Sequence, residues 1–292
     1  MDRYQIADLE QLSGIKAHTI RIWEKRYNLI NPARTSSNIR YYTNEDVIKL
    51  LNTVNLLEAG YKISKISVLS ATELKETILQ ITKEEHSYGI FISKFIDATI
   101  HFNIELFNAT FDEIHFKIGM QKTMTEVIYP FLTKIGILWS TTDTSPIQEH
   151  FASSMIRKKI IFAIETLPKK LKIKQKIVLF LPEEEWHEIG LLFTEYLITE
   201  KGFQVYNLGQ NLPIGELNLI IDTIKPDYLF TFFISRKTET QINDCINKIL
   251  DFDSKFKLFI SGTNVNTKLI HLPNKRISIL HTPNDLESAF KL

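Results

Sequence analysis

The sequence predicts a multidomain α and α/β protein: a helix-turn-helix unit, then a four-helix bundle, then a domain built on a parallel sheet. Three observations predict it. The 292 residues suffice for two or three domains. Apolar residues recur with helical spacing up to about residue 168, and beyond 174 apolar runs alternate with helical patterns. The expected boundaries are therefore 1–75, 80–168 and 174–292.

The first region predicts two short helices joined by a glycine turn. Residues 6–13 form an amphipathic pattern that ends at Gly14, and the pattern resumes over 17–27 with Ile20, Trp23 and Tyr27 on one face. Between 17 and 42 the only acidic residue is Glu24. The basic residues there are Arg21, Lys25, Arg26, Arg34 and Arg40, with His18 as a further source of charge. Such a patch on a second helix favours phosphate contact, whereas the alternative is a solvated basic surface.

The second region predicts helices near 84–100, 103–117, 120–138 and 147–166. Within the first of them, Phe91, Phe95, Ala98 and Phe102 recur at intervals of three and four. Four such segments with short connections are typical of a four-helix bundle.

The third region predicts five strands in a parallel sheet. The candidate strands are 176–181, 203–208, 228–234, 257–261 and 277–281, and helical patterns at 188–200, 214–224 and 238–250 separate the first four. Near-continuous apolar strands that alternate with helices indicate a sheet covered on both faces.

Composition limits the function. Lys and Arg total 35 against 34 Asp and Glu, so contact with nucleic acid has to rest on local charge. The single cysteine, Cys245, excludes a disulfide within the chain and a site with several thiolates. The absence of a long apolar run and of an N-terminal leader pattern predicts a cytoplasmic protein without membrane spans.

A histidine motif follows the first predicted strand. Glu185, His187 and Gly190 form the pattern E-x-H-x-x-G. A neutral imidazole binds transition metals, and a carboxylate on its other nitrogen orients the ring. Ligands of parallel sheets bind beyond the carboxyl ends of strands, where the residues Asn207, Gly209, Ser261 and Gly262 are also expected. The alternative is a surface histidine in a charged loop.

The N-terminal region closely resembles the winged-helix domain of the MerR family. The matching stretches are Ile6-Ala7, Ser13-Gly14-Ile15, His18 to Tyr27, Pro32 to Thr35 and Ile39 to Thr43. The resemblance implies a double-stranded DNA operator, a homo-oligomer (dimer or tetramer), and a wing in which Arg40 and Tyr41 face phosphates. The residues expected to contact DNA are His18, Thr19, Arg21, Lys25, Arg26, Arg34, Arg40 and Tyr41.

The remaining chain resembles cobalamin-binding proteins. E-x-H-x-x-G after a strand is similar to the motif of Rossmann-like cobalamin domains, which implies that His187 binds cobalt as the lower axial ligand. Trp139 followed, after nine intervening residues, by Glu149-His150 resembles light-sensing MerR regulators of the CarH/LitR type. That resemblance implies adenosylcobalamin, with methylcobalamin left open. Trp139 would pack on the adenosyl group, while Glu149 and His150 would line its pocket. The other implied cofactor contacts are Glu185, Gly190, Asn207, Gly209, Ser261 and Gly262.

This second resemblance also implies a mechanism and argues against an enzyme. In the dark the cofactor would favour oligomers that hold several DNA readers on one operator, and light would break the cobalt–carbon bond and dissociate them. The expected protein is a repressor. A cobalamin-dependent methyl or radical enzyme would need a substrate domain or a partner subunit, and no further catalytic constellation is found in the sequence.

Three positions depart from the cobalamin pattern. Phe232 stands where a serine is expected, Ser261-Gly262 replaces a glycine pair, and Ser140 follows the bundle tryptophan where some relatives have histidine. A bulky Phe232 would narrow the slot for the nucleotide tail. The alternative is therefore a MerR-type regulator whose degenerate cobalamin domain serves only oligomerisation or protein interaction. A sensor of metals or drugs is a further alternative, although one cysteine argues against thiolate metal sensing.

Overall fold

The structure of the chain is a computed structural model. It describes residues 3–35, 37–70, 72–74, 76–78, 88–141, 147–168, 173–235, 237–252, 255–263, 265 and 276–290, and for 137–141 the backbone alone. The chain divides into two compact units, Met1–Met155 and Ile156–Leu292, which are described separately. Among the described helices, none is both long and apolar enough to cross a bilayer.

The N-terminal elements confirm the predicted helix-turn-helix. They are α1 (Ile6–Ser13), α2 (Ala17–Tyr27), β1 (Ala33–Arg34), β2 (Arg40–Tyr41), α3 (Asn44–Glu58) and α4 (Ile63–Ile66). Helix α1 ends at Gly14, whose φ of 75° lets its N–H bond the Glu10 carbonyl. Helix α3 begins with a capping box, in which the Thr43 side chain accepts from the Asp46 N–H and the Asp46 carboxylate accepts from the Thr43 N–H. Strands β1 and β2 pair as an antiparallel hairpin.

The bundle helices follow in the predicted order. They are α5 (Tyr88–Ile100), α6 (Ile104–Lys122), a π-helical segment (Thr123–Ile128), α7 (Tyr129–Thr141) and α8 (Ile147–Thr166). The break predicted between residues 117 and 120 coincides with Gly119, whose φ of 74° and ψ of 169° are non-helical and kink α6 at this point. Residues 84–87 of the first predicted helix lie outside the described residues.

Aromatic side chains build the core of this unit. The Phe95 ring centroid lies 4.8 Å from that of Phe107 and 5.4 Å from that of Phe131, and the Phe107 centroid lies 6.0 Å from that of Phe151. Phe95, Phe107 and Phe131 are fully buried. Burial of each such side chain contributes about 1.5–3 kcal/mol.

Two polar contacts tie the first helices to the bundle. The Asn55 amide on α3 donates to the Ser93 hydroxyl on α5 at 2.9 Å, and the Lys134 ammonium on α7 donates to the Leu12 carbonyl on α1 at 2.6 Å. Burial lowers the pKa of Lys134, and the nearby Glu58 carboxylate opposes the shift.

The second unit confirms the predicted parallel sheet. Its elements after α8 are β3 (Lys176–Phe180), α9 (Ile189–Lys201), β4 (Gln204–Asn207), a 3₁₀ turn (Ile214–Glu216), α10 (Leu217–Ile224), β5 (Tyr228–Phe232), α11 (Glu239–Leu250), β6 (Lys257–Ser261), β7 (Ile277–Ile279) and α12 (Pro283–Phe290). The strand order is β4-β3-β5-β6-β7, and all four pairings are parallel. The predicted strands at 203–208 and 228–234 are shorter in the structure, where they span Gln204–Asn207 and Tyr228–Phe232.

The strand order places a crevice beside the first strand. From β3 the chain crosses to β4 on one side and then returns to β5 on the other. Doubly wound sheets bind ligands where the order reverses, at the carboxyl ends of the strands. The residues that follow Phe180 and Phe232 therefore meet at this position.

Candidate functional site

The crevice holds a buried carboxylate surrounded by hydrogen-bond donors. Glu185 has no exposed surface. Its Oε2 accepts from the backbone N–H of Ile234 at 2.8 Å and of Ser235 at 2.7 Å. Its Oε1 accepts from the Ser235 hydroxyl at 2.9 Å and lies 2.6 Å from Nδ1 of His187.

These donors hold Glu185 in its ionised form. Burial by itself raises the pKa of this carboxyl. The hydrogen bonds from His187, from the Ser235 and Ile234 amides and from the Ser235 hydroxyl outweigh burial and lower the pKa to about 2. Glu185 is thus a carboxylate throughout the neutral range.

The carboxylate fixes the orientation and tautomer of His187. Because the ionised Glu185 can only accept, the 2.6 Å contact assigns a proton to Nδ1 of His187. The neutral ring then has its lone pair on Nε2, which is the state that ligates transition metals. The His187 side chain is 50% exposed although its partner is buried. This donor set fits a cobalt ion that needs one imidazole nitrogen.

Sequence reasoning missed Ser235 and the adjacent Ile234 amide. The strand order could have revealed them. Because β5 pairs with β3, the residues after Phe232 must lie beside the loop that carries Glu185. The same loop is held from the β4 side, where Asn211 accepts from the Glu184 N–H at 2.9 Å and donates its own N–H to the Glu185 carbonyl at 3.2 Å. The loops that follow β4 and β5 therefore both hold the loop that carries His187.

A phenylalanine ring fills the space beside Gly190. A Cβ on this glycine would lie 3.2 Å from Cε1 of Phe232, and Phe232 is buried. The close approach that Gly190 permits in this structure is thus to the chain's own side chain. The predicted contact between Gly190 and the cofactor stays a prediction. So does the expected narrowing of the slot for the nucleotide tail, although the Phe232 ring does occupy space beside Gly190.

The other predicted residues at this edge have identified structural partners. A Cβ on Gly262, whose φ is 120°, would lie 2.3 Å from the Phe233 carbonyl oxygen, and the Ser261 carbonyl accepts from the Phe233 N–H at 2.9 Å. The Asn207 amide donates to Glu195 at 2.6 Å, and its oxygen accepts from the Gly209 N–H at 2.9 Å. These contacts shape the edge, and their part in cofactor binding stays a prediction.

The bundle residues of the predicted site lie in the first unit. Trp139 belongs to α7, and its side chain lies outside the described part of the structure. Glu149 and His150 belong to the first turn of α8, where Glu149 is half-buried and His150 is exposed. Their roles at the upper face of the cofactor stay predictions.

The second candidate site is the outer face of α2. Ile20 and Trp23 are buried, while His18, Arg21, Lys25 and Arg26 are exposed. Thr19 is half-buried, and its hydroxyl lies 3.3 Å from Nε2 of His18. The exposed side chains form a basic surface of the kind that enters a major groove.

The hairpin adds further positive charge beside α2, and the tyrosine that follows it hydrogen-bonds Glu24, the only acidic residue among residues 17–42. Arg34 and Arg40 are exposed, and the Arg34 guanidinium donates to the Asn38 side chain at 2.8 Å. Tyr41 is half-buried beneath the Arg3 guanidinium, which lies 4.8 Å from its ring centroid. The Tyr42 hydroxyl donates to Glu24, which fixes this carboxylate between hairpin and helix.

The described residues offer no support for a thiolate or multi-ligand metal centre. Within them, three or more His, Cys, Asp or Glu side chains are nowhere grouped to hold a metal ion. Burial raises the pKa of the Cys245 thiol to about 11, so the thiol is protonated at neutral pH. A single imidazole ligand, such as His187, to an ion that a cofactor holds is compatible with both observations.

Comparison with known proteins gives family matches for two stretches of the chain and relatives along most of it. Residues 4–72 match the MerR HTH family regulatory protein model, and residues 92–162 match the B12 binding domain model. The chain is 25% identical over 252 residues to the HTH-type transcriptional repressor CarH of Myxococcus xanthus, covering 84% of each protein. It is 21% identical over 267 residues to the repressor CarA of the same organism, covering 91% of this chain and 88% of CarA.

A solved structure shares the fold of most of this chain. The monomethylamine corrinoid protein of Methanosarcina barkeri superposes with a TM-score of 0.58 at 14% identity, covering 70% of this chain and 98% of that protein. The basic helix-turn-helix, the helical bundle and the sheet that presents His187 agree with these matches. The chain therefore joins a MerR-type helix-turn-helix DNA-binding domain to a B12-binding domain.

Proposed function

We propose that this protein is a cytoplasmic transcriptional repressor whose hold on DNA depends on bound adenosylcobalamin and on light. Residues 1–75 would read the operator, residues 80–168 would cap the cofactor, and residues 174–292 would bind it. The assembly that binds the operator is a homo-oligomer, a dimer or a tetramer. The similarity to CarH and CarA along most of the chain supports this proposal.

The observation that carries the proposal is the Glu185–His187 pair at the sheet's switch point. The pair presents one imidazole nitrogen at the place where doubly wound sheets bind their ligands. Trp139, Glu149 and His150 are the bundle residues assigned to the cofactor's upper face. When bound, adenosylcobalamin supplies a cobalt–carbon bond that green light can break.

Particular residues of this chain make the oligomeric state depend on which form of the cofactor is bound. His187 anchors the cofactor, and the bundle residues distinguish the adenosyl form from forms with a smaller upper ligand. The cofactor can shift the equilibrium between two oligomeric states only as far as its affinities for those two states differ. An oligomer that presents several α2 helices binds DNA with higher affinity, because after the first helix has bound, the binding of the second is effectively intramolecular.

The testing experiment is size-exclusion chromatography with a diode-array detector. Purified full-length protein is mixed with adenosylcobalamin in the dark and analysed before and after green light. Co-elution of the cobalamin spectrum and a later elution volume after light are expected. Binding without a shift leaves a cobalamin sensor that light does not switch, which contradicts the light-dependent part of the proposal.

Replacement of His187 tests the ligand assignment. His187→Ala is expected to lose the imidazole-ligation signature from the visible spectrum and to lower cobalamin affinity at least about ten-fold. His101→Ala is the matched control, because His101 is also an exposed histidine whose Nδ1 contacts a carboxylate, Asp97, at 2.8 Å. An unaltered His187→Ala spectrum would disprove the assignment.

The second candidate function is a regulator that no longer binds cobalamin and uses this domain for oligomerisation. The Phe232 ring beside Gly190 favours it. Colourless wild-type protein together with cobalamin uptake by Phe232→Ser would support this alternative. Uptake by the wild-type protein would exclude it.

A further inference from the structure

An aliphatic side chain lies in the middle of the basic face of α2. Ile22 is 50% exposed, although its neighbours along the helix, Ile20 and Trp23, are buried at 0% and 9% exposure. His18, Arg21, Ile22 and Lys25 follow the spacing i, i+3, i+4 and i+7, so they lie on one side of the helix. Ile22 therefore points outward between cationic side chains.

This position gives isoleucine no advantage in the unbound protein. A half-exposed branched side chain gains little from burial, and a β-branched residue lowers helix propensity slightly. The surrounding charges also disfavour a protein partner, since the cores of protein interfaces are depleted of charged residues. The charge of the surface instead complements a phosphate backbone.

The major groove offers such a side chain one apolar group. Thymine exposes its C5 methyl there, and apolar side chains contact it directly. A recognition helix inserts the residues of its N-terminal half toward the base edges. Ile22 is the sixth of the eleven residues of α2 and therefore lies at the C-terminal end of that half. Contact between the two groups would remove both from water.

We propose that Ile22 reads the 5-methyl group of one thymine per half-site, while Arg21 and Lys25 hold the helix in the groove. Ile22 thereby discriminates thymine from cytosine at that position. The proposal rests on DNA binding as part of the proposed function, and it adds a residue that determines sequence preference.

The experiment removes one methyl group from the DNA. Duplexes are selected from a random library by the full-length protein loaded with adenosylcobalamin in the dark. Each thymine of the selected duplex is then replaced singly by deoxyuridine, which lacks only the 5-methyl group. At one position per half-site the affinity is expected to fall about four-fold.

Protein variants assign that loss to Ile22. Ile22→Ala is expected to bind the thymine and deoxyuridine duplexes equally well, because the aliphatic partner is gone. Ile39→Ala is the matched control, since Ile39 is a similarly exposed isoleucine (60%) on the hairpin instead of α2. It is expected to keep the four-fold discrimination.

The outcomes separate this inference from the proposed function. If the selected duplex binds tightly and no deoxyuridine substitution weakens binding, or if Ile22→Ala keeps the discrimination, the inference is wrong and DNA binding stands. Insensitivity to deoxyuridine with an altered oligomeric state of Ile22→Ala would assign Ile22 to a protein contact. If the library yields no bound duplex, the proposed function fails and the inference fails with it.

Discussion

The outer face of α2 and the Glu185–His187 pair use polar side chains in opposite ways. On α2, charged groups such as Arg21 and Lys25 are exposed along a single helix. At the sheet edge, Glu185 is buried and accepts hydrogen bonds from His187, Ile234 and Ser235, which arrive from two loops. The first surface is local in sequence, whereas the second joins residues about 50 positions apart.

The difference indicates how each site tolerates change. A charge on an exposed helix contributes to binding but little to folding, because water solvates it equally well in the unfolded chain. A buried carboxylate with several donors contributes to both, because its removal leaves those donors without their acceptor. Substitutions at the sheet edge should therefore affect stability and function together, and substitutions on α2 should separate them.

The largest expected effect is at Gly262. A Cβ there would lie 2.3 Å from the Phe233 carbonyl oxygen at a φ of 120°. Gly262→Ala should lower the free energy of unfolding by about 3–5 kcal/mol. Gly209→Ala is the control, because Gly209 has a φ of 76° and a Cβ there would meet nothing within 4 Å, so it should cost only about 1–2 kcal/mol. Equal losses in urea unfolding would contradict the role of the close contact.

Glu185→Gln should have the next largest effect. Loss of the charge should lower the free energy of unfolding by about 2–3 kcal/mol at pH 7 and cobalamin affinity about 10–100-fold. The pKa of Glu185 in the folded protein, about 2, is below its ordinary value of 4.5. Its stabilising contribution is therefore complete above about pH 4.5 and is lost as the pH falls toward 2.

The pH dependence provides the check on Glu185. Denaturant unfolding of both proteins at several pH values should give a difference that is constant near neutrality and shrinks below about pH 4.5. A difference that does not depend on pH would mean that the Glu185 carboxyl has the same pKa in the folded and the unfolded chain, and the assigned pKa would be wrong.

Arg21→Ala should have the smallest effect on stability and should act on DNA alone. The free energy of unfolding should change by less than about 0.5 kcal/mol, because the side chain is exposed. If Arg21 contacts a phosphate, the slope of log affinity against log salt concentration should fall by about one. Lys248→Ala, an exposed lysine of α11, should leave that slope unchanged. A loss of stability as large as that of Glu185→Gln would remove the contrast between the two regions.

Sequence patterns predicted most of the fold because most of its elements are specified locally. Helix α2 and helix α8 have the predicted bounds, and the caps at Gly14 and Thr43 depend on residues within one turn. The break predicted between residues 117 and 120 coincides with the non-helical Gly119, whereas the π-helical turn Thr123–Ile128 that follows was not predicted.

The candidate site was predictable in part. The pair Glu185 and His187 is visible as a spacing of two residues, since both belong to the loop after β3. Ser235 could not be found in the same way, because its contact depends on the pairing of β5 with β3. The packing of Phe232 on Gly190 likewise joins a strand end to a helix start that is distant in the chain.

The sequence by itself determined the order of the domains, the basic recognition helix and the identity of the imidazole expected to face cobalt. These depend on periodicity, local charge and short motifs, which act over one or two turns of chain. The tertiary structure alone decided that Glu185 is buried and ionised, that Ser235 holds it and that Phe232 fills the space beside Gly190. The physical reason is that burial and pairing depend on which strands become neighbours, and a linear sequence states this only indirectly.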